Sequence, residues 1–146
     1  MVKLLVGTQP FQRAASLFIR YSVFVLERNI VMAEEFDTND EKGTLYSVIY
    51  DGDLPVSTGR FLPETDTEAR ISRVATLREY RGQGYGAQVI AALENYAESE
   101  GYYKIIIHSE LSAKTFYESI GYQPIGEVYE EDGEPCQSLE KMIGEK

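Results

Sequence analysis

Cysteine and histidine are almost absent from this chain of 146 residues, which contains only Cys136 and His108. A lone cysteine excludes an internal disulfide and fits a reducing compartment. One residue of each type also leaves no convincing zinc site, so we expect no metal. Long apolar runs are missing as well, which predicts no membrane-spanning helix. The N-terminal residues MVKLLVGTQP lack the small-residue cleavage pattern of a signal peptide. We therefore expect a cytoplasmic protein.

Positive charge is in deficit. Lysine and arginine number 14 against 24 aspartates and glutamates, which gives a formal net charge of −10 at pH 7. This excess of acid argues against nucleic acid and anionic membrane surfaces as partners, because both would repel the protein. It is compatible with a cationic or amine substrate, although acidity is also a common route to solubility.

The length and composition fit one soluble domain over residues 1–146, with 43% hydrophobic residues and no repeats or low-complexity tracts. Hydrophobic periodicity and turn residues predict more strands than helices, with hairpins on either side of one strand–helix–strand unit. The predicted fold class is α/β (α+β), a mixed sheet of six to seven strands with helices on both faces. Strands are predicted near 2–6, 44–50, 55–62, 68–77, 103–108, 122–129 and 137–143, and helices near 11–26, 87–101 and 112–120.

A glycine-rich loop stands between the predicted strand that ends near Leu77 and the helix that follows. Glycines directly before a helix let backbone N–H groups point outward, where the helix N-terminus adds partial positive charge. Arg78 and Arg81 add full charges beside this loop, although the chain as a whole is acidic. These features suit a phosphate or pyrophosphate group.

Three kinds of glycine loop bind phosphates, and the sequence separates them. A Walker A loop requires Gly-Lys-Ser/Thr, which is absent. The dinucleotide fingerprint is met only loosely, because residues 78–81 intervene between strand and glycines. The pattern Arg/Gln-x-x-Gly-x-Gly/Ala is matched without a gap by Arg81, Gly84 and Gly86, and this loop resembles the acetyl-CoA loop of the GNAT acetyltransferases. A glycine-rich connection that binds nothing is the alternative.

A second segment carries the same resemblance. Ala113, Phe116, Tyr117, Gly121 and Tyr122 are similar to a pattern that follows the fifth strand of GNAT enzymes. The resemblance implies that Tyr117 is the general acid that protonates the departing CoA thiolate, whereas Phe116 is more simply a core residue. A structural hydrogen bond is the alternative for Tyr117. The residues implied to bind acetyl-CoA are Val74, Ala75, Thr76, Leu77, Arg81, Gly82, Gln83, Gly84, Tyr85, Gly86, Ala113 and Phe116, with Ala75 and Leu77 offering backbone groups to the pantetheine arm.

The N-terminal part resembles small bacterial GNAT proteins of the ElaA/YjcF type. Residues 20–30 and 35–40 match their Arg-x-x-Val-Phe-Val-x-Glu-Gln-x-Ile and Glu-x-Asp patterns, with Arg28 where glutamine is usual. Cys136 stands where histidine is usual. The residues that this resemblance and the expected cleft assign to substrate binding are Arg20, Glu35, His108 and Cys136.

Several side chains could take the proton of the acceptor amine. Glu27 is the first choice as general base, because it matches the subfamily pattern at the end of the first helix. A salt bridge with Arg20 is its structural alternative. Further carboxylate candidates are Glu35, Asp37 and Glu110. His108 is either a base, a ligand or a structural histidine at a strand end.

The resemblance implies an acetyl-CoA-dependent N-acetyltransferase in which a primary amine attacks the thioester directly in a ternary complex. Cys136 has no partner base for a covalent acyl-enzyme. The alternative from another class is an acetyl-CoA-binding sensor or interaction module that has lost turnover, which the departures at Arg28 and Cys136 would explain. Dimers are frequent in this family, so the resemblance leaves a homodimer open.

Overall fold

A sheet of seven strands forms the centre of the molecule, whose computed structural model describes residues 1–144. In chain order the strands are β1 (Val2–Gly7), β2 (Leu45–Asp51), β3 (Leu54–Pro63), β4 (Glu68–Thr76), β5 (Lys104–Glu110), β6 (Gln123–Glu131) and β7 (Glu134–Met142). The helices are α1 (Pro10–Arg20), α2 (Met32–Glu35), α3 (Tyr85–Ser99) and α4 (Lys114–Ser119). In this part of the chain no helix is long and apolar enough to cross a membrane.

The sheet is mixed, with the strand order β1-β2-β3-β4-β5-β7-β6. Every neighbouring pair is antiparallel except β4 with β5, which are parallel. A parallel step needs a crossover, and α3 supplies it. The last strand, β7, lies between β5 and β6. The prediction of a mixed sheet with six to seven strands is confirmed.

Helices cover both faces of the sheet, as β2 shows most directly. Alternate residues of a strand point to opposite faces. Leu45 and Ile49 belong to the core beneath α3, whereas Tyr46 and Val48 pack against α1. Because both sets are buried, β2 is enclosed on two sides, and the prediction of helices on both faces is confirmed.

The first helix changes its winding at Arg20. The sequence predicts one helix over residues 11–26. The structure has helical backbone there, but α1 ends at Arg20 and a π-helical turn continues over Tyr21–Glu27. There the backbone N–H of Arg28 donates to the carbonyl of Val23, five residues back, at 3.1 Å. A π-helical turn holds an extra residue and often marks a functional site. Here it precedes the segment that forms one wall of the site.

Strands β4 and β5 run side by side for three residue pairs and then part. The last pair joins Arg70 to Ile106. Beyond it, β4 contains a bulge in which Arg73 and Val74 together lie opposite Gly59 of β3, and Arg73 has φ +54°. A bulge bends its strand and strengthens the local twist. The bulge therefore accompanies the opening of a cleft between two strands in the middle of the sheet.

Candidate active site

A cavity of about 590 Å³ occupies the space where β4 and β5 part. Its walls come from these two strands, the segment after the π-helical turn, the start of α4 and the β6–β7 hairpin. The residues selected from the sequence that line it are Arg28, Glu35, Asp37, Val74, His108, Glu110, Ala113, Tyr117 and Cys136. The structure thus brings together side chains that are up to 101 residues apart in the sequence, from position 35 to position 136.

The glycine-rich loop follows β4 and leads directly into α3. Gly82 and Gly84 have φ of +80° and +83°, a conformation that glycine adopts without steric cost. A Cβ on Gly82 would meet no atom within 4 Å, and one on Gly84 would meet only Gln88 Nε2 at 4.0 Å. The first turn of α3 carries no acidic residue. Open space above outward-facing amides at a helix N-terminus fits a phosphate group.

Phe116 lies against this loop from α4. A Cβ on Gly86 would lie 3.6 Å from Phe116 Cζ and 4.0 Å from Thr76 Oγ1. Phe116 is 39% exposed, so the simpler interpretation of it as a core residue is wrong. Gln83 is exposed in the loop, whereas Tyr85 packs partly on the core beneath α3.

The end of β4 corrects the prediction for two backbone positions. The N–H of Leu77 donates to the carbonyl of Val56 in β3 at 2.8 Å, so it is not available to a ligand. Backbone groups alternate in direction along a strand, so those of Ala75 also face β3, with which Ala75 pairs. The backbone groups of Val74 and Thr76 then point away from β3, where they can meet an extended ligand, except for the Thr76 carbonyl, which accepts a hydrogen bond from Arg81 Nε.

Tyr117 lines the cavity, and its ring packs edge-on against Phe116 and Tyr122, with centroids 5.1 and 6.2 Å away. Burial, assisted by the charge of Glu110, raises the pKa of Tyr117 to about 12. No described residue receives a hydrogen bond from its hydroxyl, so the structural hydrogen bond considered as an alternative is not seen in residues 1–144. The phenol is therefore protonated at neutral pH and able to donate to a ligand.

Glu27 occupies a different environment from the one that a general base requires. Its carboxylate accepts two hydrogen bonds from Arg81, at 2.6 and 2.8 Å, and lies 3.7 Å from Arg78. The hydrogen bond from Arg81 is the main cause that lowers the pKa of Glu27, which weakens it as a base. Glu27 also does not line the cavity. It holds Arg81, whose Nε donates to the carbonyl of Thr76, beside the glycine loop.

A group of six charged side chains supports one wall of the cavity. We call it the arginine–carboxylate cluster, and its members are Arg20, Arg60, Arg73, Glu35, Asp37 and Asp40. Arg20 bonds Glu35 at 3.0 Å and Asp40 at 2.8 and 2.9 Å. Arg60 bonds Asp37 at 2.8 Å, and Arg73 lies 3.2 Å from Glu35. The cluster thereby ties the segment 35–40 to α1, β3 and β4.

The cluster corrects the role predicted for Arg20. Its side chain is fully buried and does not line the cavity, so a contact with substrate is not possible in this arrangement. It acts instead through Glu35, which does line the cavity. Burial raises the pKa of Glu35, and the charges of Arg73 and Arg20 only partly oppose that rise. Its interpretation as a substrate-binding residue or base stays a prediction.

His108 and Cys136 face the cavity from neighbouring strands. Burial, together with the positive charge of Arg70, lowers the pKa of His108, so its imidazole is neutral at pH 7. Its Nδ1 lies 3.9 Å from Glu131. Cys136 is 4% exposed, and burial followed by the charge of Glu131 raises the pKa of its thiol. A protonated thiol is a poor nucleophile, which argues against a covalent acyl carrier.

Arg28 links two walls of the cavity. Its guanidinium donates to Glu110 at 2.8 and 3.2 Å, and its Cζ lies 5.6 Å above the ring of Phe24. This pair joins the segment after the π-helical turn to the end of β5. Glu110, one of the carboxylates considered as a base, is thus engaged by an arginine.

Sequence reasoning missed the arginines of the sheet, namely Arg60, Arg70 and Arg73, which all line the cavity. For Arg70 a signal exists, because it alternates with the buried Ala69 and Ile71 and must face the opposite side of β4. For Arg73 no local signal exists, since the bulge sets its direction.

Comparisons with known proteins agree with this geometry. A family model described as an acetyltransferase (GNAT) domain matches residues 21–143. An uncharacterised acetyltransferase of Streptococcus pyogenes, from the arcA 3′ region, is 59% identical over 112 residues, which are 77% of each chain. YyaT, an uncharacterised protein of Bacillus subtilis, is 32% identical over 130 residues, 88% of this chain and 87% of YyaT.

Solved structures share the whole fold. The crystal structure of a predicted N-acetyltransferase from Lactobacillus plantarum superposes with a TM-score of 0.93 at 39% identity, over 97% of this chain and 98% of that one. Escherichia coli ElaA superposes with a TM-score of 0.83 at 24% identity, over 97% and 99% of the two chains, which shows a common fold.

Replacing Asp40 with asparagine should destabilise the protein at pH 7 by about 1–3 kcal/mol, because the buried Arg20 and Arg60 would each lose one carboxylate partner and keep only Glu35 and Asp37. Although burial opposes it, hydrogen bonds from Arg20 and Tyr46 hold the pKa of Asp40 well below its usual range. A lowered pKa in the folded state gives stability that is present above the unfolded value of 3.8 and is lost as the pH falls below it. Urea unfolding from pH 7 to pH 3 should therefore show the gap between wild type and Asp40→Asn narrowing only below about pH 4.

The exposed Asp66 provides a matched control, and Asp66→Asn should change stability by no more than about 0.5 kcal/mol. Equal effects of the two substitutions would contradict the structural role assigned to the arginine–carboxylate cluster.

Proposed function

The chain belongs to the GNAT acetyltransferase family, and on that premise we propose that it transfers the acetyl group of acetyl-CoA to a primary amine. One observation carries this proposal: the cleft between β4 and β5 opens beside a phosphate-compatible glycine loop, and Tyr117 lines that cleft. A thioester with a long phosphorylated arm requires three things of its site: a strand edge, an anion site and a proton donor.

The donor would lie along the cleft, with the loop 81–86 and the N-terminus of α3 around its phosphates. Val74 and Thr76 would offer backbone groups to its extended arm, while Ala113 and Phe116 would flank it. Bound acetyl-CoA supplies an activated acyl group and a thiolate leaving group. The pairing of Arg81 and Arg78 with Glu27 leaves the amides of the loop as the main attraction for the phosphates.

The cavity residues suit a direct transfer. The acceptor nitrogen would form a bond to the thioester carbonyl carbon as the carbon–sulfur bond breaks. His108 would take the proton that the amine loses, because it is neutral at pH 7 and held by no close ion pair among the described residues. Tyr117 would give its proton to the departing sulfur. Positioning of the two reactants would supply much of the rate.

We expect acetyl-CoA at about 100-fold over its Kd to stabilise the protein by about 2.7 kcal/mol. Gly84→Glu should abolish that stabilisation, because it places a negative charge at the phosphate position. Thermal unfolding with and without acetyl-CoA measures this, with NADH as a control ligand. Gly52→Glu is the matched variant, since Gly52 also has positive φ and open space, and it should retain the shift. A shift retained in Gly84→Glu would mean that the phosphates bind elsewhere.

Tyr117→Phe should lower kcat by roughly 100-fold with little change in the affinity for acetyl-CoA, because it removes one proton donor and keeps the ring. Release of CoA thiol with an accepted amine measures turnover. Tyr96→Phe is the control, since Tyr96 packs on Phe61 away from the cavity. Unchanged turnover in Tyr117→Phe would remove its role as acid. Binding of acetyl-CoA without thiol release for any amine would support the sensor alternative.

Calculated on the concentration of free amine, kcat/KM should fall by roughly 100-fold in His108→Gln, and the acidic limb of its pH profile should flatten. The active form is the neutral imidazole, so wild-type activity should be full above the folded pKa, which lies below 6.5, and fall as the pH drops through it. An acidic limb that survives in His108→Gln would transfer the role of base to a carboxylate such as Glu35.

A further inference from the structure

Arg70 is a cation of the cavity that has no anionic partner among residues 1–144. The cavity contains three other arginines, and each of them is paired: Arg28 with Glu110, and Arg60 and Arg73 within the arginine–carboxylate cluster. The Nε of Arg70 is shielded from solvent and donates to no acceptor in the described part of the chain. Because Nε is shielded by the protein itself, a ligand would bind the terminal amino groups of the guanidinium, whose charge no described carboxylate offsets.

The position of Arg70 places that ligand in the part of the cavity that contains His108. Arg70 forms the last pair between β4 and β5, opposite Ile106, at the vertex where the strands begin to part. His108 lies two residues further along β5 on the same face as Ile106. The charge of Arg70 also contributes to the lowered pKa of His108, which indicates that the two groups are close.

The unpaired charges of the cavity have both signs. Among the described lining residues, Glu34, Asp132 and Glu134 form no ion pair, and Glu131 lies 3.9 Å from His108. A cation at the vertex thus faces carboxylates on α2 and on the β6–β7 hairpin. This division suits a ligand that has one anionic group and one ammonium group.

We propose that the acceptor is a small molecule of the amino acid type, whose carboxylate binds Arg70 while its amine lies beside His108. This inference rests on the function proposed above and narrows its acceptor class. Neutral amines and polyamines would leave Arg70 unpaired. A dianionic phosphate would exceed the single positive charge and meet repulsion from the surrounding carboxylates.

The test compares free L-amino acids with their carboxamides, which keep the amine and lose the negative charge. Thiol release is measured at pH 8, where His108 is neutral. For the accepted side chain, the acid should have a kcat/KM, calculated on the concentration of free amine, about 10- to 100-fold above that of the amide, as expected for a charge-assisted hydrogen bond. Arg70→Gln should abolish this preference, whereas Arg70→Lys should keep part of it.

Arg13→Gln is the matched control, because it removes the same charge from α1 outside the cavity and should leave the preference intact. Equal rates for acid and amide would overturn the proposal, and so would a preference for O-phosphoethanolamine over every amino acid.

A binding measurement separates this inference from the transfer reaction. In protein labelled with ¹⁵N-arginine and saturated with CoA, the Arg70 Nε–H resonance should shift with the preferred amino acid and not with its amide. No shift with any amino acid would overturn the proposal. A carboxylate-dependent shift without thiol release would support the Arg70 site and contradict the proposed transfer.

Discussion

The parting of β4 and β5 is the constraint on which the rest of the site depends. A closed sheet would pair the backbone groups of Val74 and Thr76 with β5 and leave no room for a ligand. The bulge at Arg73 prevents this, at a cost of about 1–3 kcal/mol for a non-glycine residue with positive φ. The ion pairs of Arg73 with Glu35 and Asp37 offset that strain. An unpaired strand edge inside a protein is a natural receptor for an extended, amide-containing ligand.

The arginine–carboxylate cluster is better understood as a positioning device than as a source of stability. It contains three cations and three anions, so its attraction is balanced by the loss of hydration on burial. Its members come from α1, β3, β4 and the segment 35–40, and each pair fixes the distance between two of these elements. The cluster as a whole is neutral, so the net charge of −10 comes from other parts of the protein, including the carboxylates around the cavity.

Local sequence patterns predicted those structural features that depend on neighbouring residues. The glycine loop, the strand before it and the hairpin around Gly52 follow from neighbouring residues, and they lie where the sequence indicated. Pairings across the fold were not predictable in the same way. Glu27 meets Arg81 over 54 residues because a π-helical turn rotates it, and no periodicity specifies that extra residue. The directions of Arg73 and Leu77 depend on a bulge that alternation alone does not reveal.

A single physical cause acts on both of the groups that we propose to transfer protons. Burial disfavours the charged form of any side chain, so it raises the pKa of Tyr117 and lowers that of His108. At pH 7 the phenol is thereby protonated and the imidazole neutral, as the proposed transfer requires. A phenol with a pKa of about 12 would be a weak donor to a thiolate in water. Burial also raises the pKa of the Cys136 thiol in this cavity, and the proposed transfer requires that the pKa of the departing thiol be raised in the same way.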